Sequence, residues 1–468
     1  MRSRDTVSRR QLLGAGAIAL TPAVSAGAPR KPNIVFIMAD DLGYADVSCY
    51  GRPDYLTPNI DRLAHQGMRF TQAYANSAVC SATRTGLITG RYQNRLAVGL
   101  EEPLGLRDVG LPPDHPTLPS LLRKAGYGTA LIGKWHLGSP PKYGPLKSGY
   151  DHFWGFHSGG LDYFSHDFGR PDLWDDDRAV AEPGYLTDLI GQHAVAMIGA
   201  YARADRPFLL SLHFNAPHFP WEGPDDEAES RRIAQSKSPG EALDFDGGSQ
   251  KTFAGMVTRM DFQIGQVLQA LTANGLERDT IVIFTSDNGG ERYSDTWPFT
   301  GKKTELLEGG LRIPAIVRWP GRVKPGSVSE QVAISMDWLP TLLEAAGGAP
   351  DPAYPPDGRS LMDALHGGAA KPRTLFWRYL NLDQEACRDG DFKYLKILAN
   401  TFLFNVVEDP LERANLKARQ PEIYQRLVAE FRAWDAQILP LDKTSGTWGF
   451  SGAQAADHFG VSSNRIVD

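Results

Sequence analysis

Cysteine is scarce: three residues, Cys49, Cys80 and Cys387, stand among 468 positions. They cannot build a disulfide framework, so the fold must rest on a hydrophobic core, and one pair at most could bridge in an oxidising compartment. An excess of positive charge is lacking too. Lys and Arg number 49 against 55 Asp and Glu, giving a formal net charge of -6, which leaves no basic field for collecting a polyphosphate. Nucleic acid is therefore not an expected partner. No apolar run reaches the roughly 18 residues that a helix needs to cross a bilayer. Internal repeats and low-complexity blocks are missing as well.

What is present suits a folded domain. Hydrophobic residues make up 42% and charged residues 22% of the chain, enough for one large core and a smaller appendage. Arg2, Arg4, Arg9 and Arg10 precede a short apolar stretch at 12–20, and small residues follow at 23–28. That is the pattern of an export signal, and the adjacent Arg9 and Arg10 point to the twin-arginine route. Residues 1–28 are thus expected to be removed on export. The mature protein is expected to be periplasmic or secreted, without stable membrane insertion.

Between residues 32 and 348 short apolar runs alternate with helical patterns, the mark of a parallel sheet covered on both faces. Runs at 33–39, 128–133, 208–214 and 280–285 read as strands too apolar to be half exposed. Residues 58–70 read as a helix with Thr57 as N-cap and Pro58 in its first position. A longer helix is expected over 252–273, where apolar residues from Phe253 to Leu271 recur at the helical period and Gly275 follows as a stop. The expected fold class is α/β, a large, mostly parallel sheet sandwiched by helices over residues 29–370. Strand-like pieces at 374–379, 392–397 and 401–406, then a helix at 421–435, imply a smaller α+β subdomain and tail over 371–468. The Pro- and Gly-rich stretch 347–358 would join the two. Residues 223–248 read as a long surface loop.

Ligands of such sheets gather beyond the carboxyl ends of the strands. Here those positions hold Asp40 and Asp41, Lys134 and His136, Asn215 and His218, and Asp287 and Asn288. A single Asp at a strand end is an ordinary turn former. Two adjacent pairs, Asp40-Asp41 and Asp287-Asn288, offer hard oxygen donors of the kind that calcium or magnesium prefers. Without a cation, three clustered carboxylates would repel one another and raise their pKa values. Cys80 stands in N-S-A-V-C-S-A-T-R-T-G-L-I-T-G at 76–90. A helix starting there would direct free N–H groups at the sulfur and bring Arg84, four residues on, to the same face.

Six motifs in order then resemble the formylglycine-dependent sulfatases of the alkaline phosphatase superfamily. They are N-I-V-F-I-M-A-D-D-L-G at 33–43, C-S-A-T-R-T-G-L-I-T-G-R at 80–91, G-K-W-H-L-G at 133–138, A-P-H at 216–218, T-S-D-N-G at 285–289 and G-K-K-T-E-L-L-E-G-G at 301–310. F-N-V-V-E-D-P-L-E-R-A-N-L at 404–416 is similar to the family's closing strand and turn. The resemblance implies an alkaline phosphatase-like fold and a calcium ion held by Asp40, Asp41, Asp287, Asn288 and the modified Cys80. It implies oxidation of Cys80 to formylglycine, whose hydrated aldehyde attacks sulfur. Arg84 would hold that residue, Lys134 and Lys303 would clamp sulfate oxygens, and His136 and His218 would move protons. Lys303 is chosen over Lys302 because it stands five residues before Glu308. The implied partners are a sulfated small molecule or saccharide and a maturase.

The family's modification motif is Cys-x-Pro-x-Arg, whereas this chain has Ala82 at the third position, a variant that resembles those handled by radical maturases as well as by the oxygen-dependent enzyme. Trp154, Tyr163, Phe164 and Trp221 are candidates for a stacking wall against a sugar or aryl ring, or for core packing. A phosphonate or phosphate monoester hydrolase on the same scaffold, and a non-catalytic glycan-binding protein with an intact Cys80 thiol, are the alternative readings.

Overall fold

Alternation along the strand Asn33–Ala39 puts Val35, Ile37 and Ala39 on one side of the sheet and Ile34, Phe36 and Met38 on the other. Every residue of the strand is buried, so it can lie only at the centre of a sheet covered on both faces. The computed structural model describes residues 31–104, 107–167, 170–204, 206–235, 244–447, 449 and 457–458. The expected export signal at 1–28 lies outside them.

Among the described residues a ten-stranded sheet is built around this strand. Thr280–Ser286, Asn33–Ala39, Phe208–His213, Gly128–Lys134 and His152–Phe156 follow one another in space and run parallel. Ala315–Arg318 on one side and Trp174–Asp175 on the other turn the edges antiparallel, so the sheet is mixed rather than parallel throughout. Helices Pro58–Gln66, Leu186–Ala204 and Gln250–Ala273 pack Ile60, Leu189, Ile190, Met256 and Met260 against one face. Cys80–Thr89, Leu118–Lys124 and Trp338–Ala345 pack Leu87, Leu122 and Leu339 against the other. Among the described residues no helix is long and apolar enough to cross a membrane, and all three cysteines are free.

Several expectations shift. The helix at 58–70 stops at Gln66, and Met68–Phe70 is a strand. Gly67 forces the change, because a Cβ there would lie 2.2 Å from the Val317 carbonyl oxygen of the neighbouring strand. Thr57 precedes the helix but makes no side-chain cap; its hydroxyl lies 2.9 Å from Ser48 Oγ instead. The loop expected at 223–248 contains the helix Glu227–Ile233.

The C-terminal part is a four-stranded antiparallel sheet, Thr374–Tyr379, Gln384–Asp389, Phe392–Ile397 and Asn400–Asn405 in that order. Gln384–Asp389 is a strand that the sequence reading passed over. Helix Pro421–Asp435 lays Leu427, Phe431 and Trp434 on this sheet. The same apolar cluster takes in Ala78, Val79, Ala82, Leu306 and Leu307, so the small sheet is packed against the segments that carry Cys80 and Lys303.

Candidate active site

The helix Cys80–Thr89 starts at the cysteine and is buried along its whole length. Thr83 ties its first turn to the preceding segment: its hydroxyl donates to Ser77 O at 3.0 Å and accepts from Ser77 N at 2.9 Å. A glycine is needed at Gly86, where a Cβ would meet the Asn76 amide at 2.4 Å. With the helix so fixed, Cys80 Sγ faces the end of the central strand, 3.3 Å from Asp40 Oδ1 and 3.8 Å from Asp41 Oδ1.

Three buried cations meet three buried carboxylates here. Lys134 Nζ donates to Asp40 Oδ2 at 2.5 Å and Lys303 Nζ to Asp41 Oδ2 at 2.7 Å. Arg84 donates to Asp287 Oδ2 from Nε at 3.1 Å and Nη2 at 2.8 Å, and Nη1 reaches the Lys134 carbonyl at 3.1 Å. Asp287 Oδ1 accepts from Asp41 N at 3.2 Å, and Asn288 Nδ2 donates to Asp41 Oδ1 at 2.7 Å. Asp41 and His136 hold left-handed backbone, at φ 60° and 58°, a strain that clusters at functional sites.

The electrostatic conflict expected of the carboxylates falls on Asp40. Burial, opposed by Lys134 and reinforced by Asp287 and Asp41, pushes its carboxyl up to about 8. Asp287 is as deeply buried, but Arg84 and Lys134 overcome that burial and hold it at about 2. Burial also pushes the Cys80 thiol well up, against the pull of Lys134 and Lys303. Both His136 and His218 are held well below the ordinary imidazole value, by burial first and then by lysines.

These residues fit a hard divalent cation. Asp40, Asp41, Cys80 and His218 each offer a ligand atom, all within 4.8 Å of one another. Asn288 Oδ1 is buried without a hydrogen-bond partner, which leaves an oxygen donor free for an ion. Asp287 stands further back, its oxygens turned to Asp41 N and Arg84.

A cavity of about 620 Å³ opens above the cluster, with Cys80, His136, His218 and Lys303 in its wall. Arg84 and Lys134 are not part of that wall and lie beneath it. Lys302 turns away, its Nζ 3.2 Å from the Glu291 and Arg292 carbonyl oxygens. His136 has no hydrogen-bond partner at either ring nitrogen, and His218 Nε2 lies 3.6 Å from Asp41 Oδ2. Of the two readings of the aromatic residues, core packing holds: Trp154, Tyr163 and Trp221 are buried in the core, and Phe164 is packed against it. Tyr163 does serve the site from below, donating to the His218 carbonyl at 2.8 Å.

Three residues escaped the sequence reading. His213 lies 3.4 Å from Arg84 Nη1; the strand ends at His213 rather than Phe214, and that one-residue shift hid it from the strand-end list. Gly159 and Gly160 leave room for the imidazoles. A Cβ on the first would meet the His136 ring at 2.6 Å, and on the second His218 Cε1 at 3.1 Å. No spacing rule marks them.

Known proteins resemble this chain over most of its length. The sulfatase family profile matches residues 32–349, and the profile for the C-terminal part of N-sulphoglucosamine sulphohydrolase matches 299–435. Human N-acetylgalactosamine-6-sulfatase is 33% identical over 75% of this chain and 69% of its own length. Human arylsulfatase A is 31% identical over 84% of this chain and 81% of its own. The solved structure of Ps i-CgsB superposes with a TM-score of 0.80 at 30% identity, covering 89% of this chain and 96% of that one. A phosphonate monoester hydrolase of Agrobacterium radiobacter shares the fold, with a TM-score of 0.61 at 22% identity over 87% and 96% of the two chains. With the profile spanning most of the chain and relatives above 30% identity over at least 75% of it, the protein belongs to the sulfatase family and is a sulfuric ester hydrolase.

Proposed function

We propose that the protein hydrolyses sulfate esters of carbohydrates or aryl alcohols, using a formylglycine made from Cys80 beside a calcium ion. The observation that carries this reading is the Cys80 sulfur 3.3 Å from Asp40 Oδ1, in a carboxylate cluster open to a sugar-sized cavity. Asp40, Asp41, Asp287, Asn288 and the modified residue 80 would hold calcium, with magnesium as the alternative; the ion would neutralise charge on the sulfate and polarise it. Formylglycine would supply a hydrated aldehyde as nucleophile, where a thiol pushed well up by burial is a poor one.

The chain's own residues complete the site. Lys303 lines the cavity and would clamp the sulfate oxygens as charge shifts to the leaving oxygen. Lys134 is committed to Asp40 at 2.5 Å, so it would act on the sulfate through that carboxylate rather than by touching it. Arg84 fixes Asp287 and the start of the helix behind Cys80. His218 would protonate the leaving alcohol; because burial and the lysines hold it neutral at rest, it would take up a proton from water as the anionic substrate binds and opposes those lysines. His136, free at both ring nitrogens, would take the proton from the second hydroxyl at position 80 so that the aldehyde reforms.

A cavity of about 620 Å³ lies within the range usual for small-molecule sites. A saccharide is favoured as substrate because Ps i-CgsB, solved in complex with k-i-k-neocarrahexaose, superposes at a TM-score of 0.80 and 29% identity over 92% of this chain and 97% of that one. Residues 1–28 would direct export to the periplasm or beyond, residues 29–370 would form the catalytic domain, and 371–468 the C-terminal subdomain and tail. Mass spectrometry of the Cys80 peptide tests the nucleophile: an aldehyde is expected, and an intact thiol in active protein overturns the reading. Turnover of 4-nitrophenyl sulfate should exceed that of 4-nitrophenyl phosphate; the reverse order would make the protein a phosphohydrolase on this scaffold.

A further inference from the structure

Lys303 sits on a loop that cannot hold its own shape. Thr304, beside it, takes φ 72°, a left-handed conformation that a β-branched residue leaves unless its surroundings impose it. Part of that constraint is backbone: Lys303 N donates to Gly290 O at 3.0 Å and Thr304 N to Ala78 O at 2.8 Å. The rest comes from the small C-terminal sheet. Gln384, buried at the start of the strand Gln384–Asp389, donates from Nε2 to the Thr304 carbonyl at 2.7 Å and accepts from Leu306 N at 2.8 Å. One primary amide thus takes both polar groups of a backbone turn, as a neighbouring strand would. Only a side chain with a donor and an acceptor at fixed separation can do this. Nε2 is also 3.0 Å from the Asn381 carbonyl, which locks the amide's orientation. Lys393 holds Glu308 at 3.0 Å, at the far end of the same segment, so the C-terminal sheet reaches residues 304 and 306 through Gln384.

We propose that Gln384 is a positioning residue for Lys303: its amide clamps the turn 304–306, so that the Lys303 ammonium stays on the cavity wall, 2.7 Å from Asp41 Oδ2. The C-terminal sheet thereby takes part in sulfate recognition without reaching the cavity. This rests on Lys303 contacting the sulfate, as argued above.

A double-mutant cycle tests it, with Gln384→Met, Lys303→Ala and the pair, on two readouts: kcat for 4-nitrophenyl sulfate and the dissociation constant of inorganic sulfate. Displacing a charged contact by about 1 Å costs on the order of 100-fold in rate, so Gln384→Met should lower kcat by about 10- to 100-fold and weaken sulfate binding. In the Lys303→Ala background the same substitution should change either quantity by less than about twofold. Losses that multiply independently, or an unchanged kcat and sulfate affinity in Gln384→Met, overturn the proposal. Leu395→Ala, in the core of the same sheet, is the stability control; it should lower Tm without entering the Lys303 coupling. Should Gln384→Met not fold, Gln384→Glu, which keeps the acceptor and loses the donor, carries the same cycle with the same criteria. Wild-type protein that turns over no sulfate ester would refute the proposed activity, while the sulfate-binding cycle would still decide the role of Gln384.

Discussion

Replacing Gly159 by alanine should disable the enzyme while leaving it folded. The added Cβ would sit 2.6 Å from His136 Cε1 and Nε2. Heavy atoms in contact prefer about 3.5–4.0 Å, so the ring must retreat by about 1 Å. Nothing tethers it, because neither ring nitrogen has a hydrogen-bond partner, and displacing the ring is easier than moving the backbone around Gly159. A base misplaced by about 1 Å costs on the order of 100-fold in kcat, whereas overpacking of this size costs about 1–3 kcal/mol in stability. Gly160 provides an internal comparison, since its Cβ would lie 3.1 Å from His218 Cε1, a gap that a shift of a few tenths of an ångström relieves. Steady-state turnover of 4-nitrophenyl sulfate should therefore fall about 100-fold for Gly159→Ala and less than about tenfold for Gly160→Ala, with Tm monitored on both. Equal losses, or a Gly159→Ala enzyme with unchanged kcat, would refute a role for His136 set by this packing.

Glu222→Gln should flatten the pH dependence of stability. Burial, then the neighbouring Asp162, push the Glu222 carboxyl up to about 9. Its protonated form therefore stabilises the fold fully at low pH, and that contribution is lost as pH rises from the ordinary carboxylate range to about 9. The variant should lose less Tm than the wild type between those limits; parallel curves would count against the reasoning. Lys393→Met should destabilise the protein by about 3–5 kcal/mol, because it removes the cation 3.0 Å from the buried Glu412 carboxylate, whereas Glu308 keeps Arg312 at 2.9 Å; chemical denaturation measures this, and a loss below about 1 kcal/mol would contradict it. Removing divalent ions with a chelator should lower both kcat and Tm, and calcium should restore both. Full activity in metal-free protein would rule out the ion.

The strands that carry the site could be read from the sequence because their burial is complete: Asn33–Ala39 is apolar on both faces, and its end at Asp40 is a change of chemistry that no packing argument can blur. Gln384–Asp389 was missed for the opposite reason. Its interior polar groups are satisfied by specific partners, Arg388 with Tyr74 and Glu385 with Tyr394 and Arg432, so a strand buried from Gln384 to Arg388 reads as polar chain. The residues gathered at the cluster, Asp40, Asp41, Cys80 and Asp287, were legible through strand ends and motif spacing. What spacing could not supply was the commitment of each cation, Lys134 to Asp40 and Arg84 to Asp287, since that depends on how far separate strands stand from one another. The aromatic residues stayed open between a stacking wall and core packing because size alone does not tell a core ring from an exposed one; Trp154 and Trp221 lie in the core.

The burial of the whole helix Cys80–Thr89 has a consequence for biosynthesis. Under the proposed oxidation of Cys80, a maturase would have to grip several residues around it, and the helix that follows the cysteine is buried in the finished fold. Conversion would then be a race between the maturase and the closing of the core, decided once per molecule. On that proposal, conditions that slow folding should raise the fraction of working enzyme, and export of an already folded chain would require the nucleophile to be made beforehand.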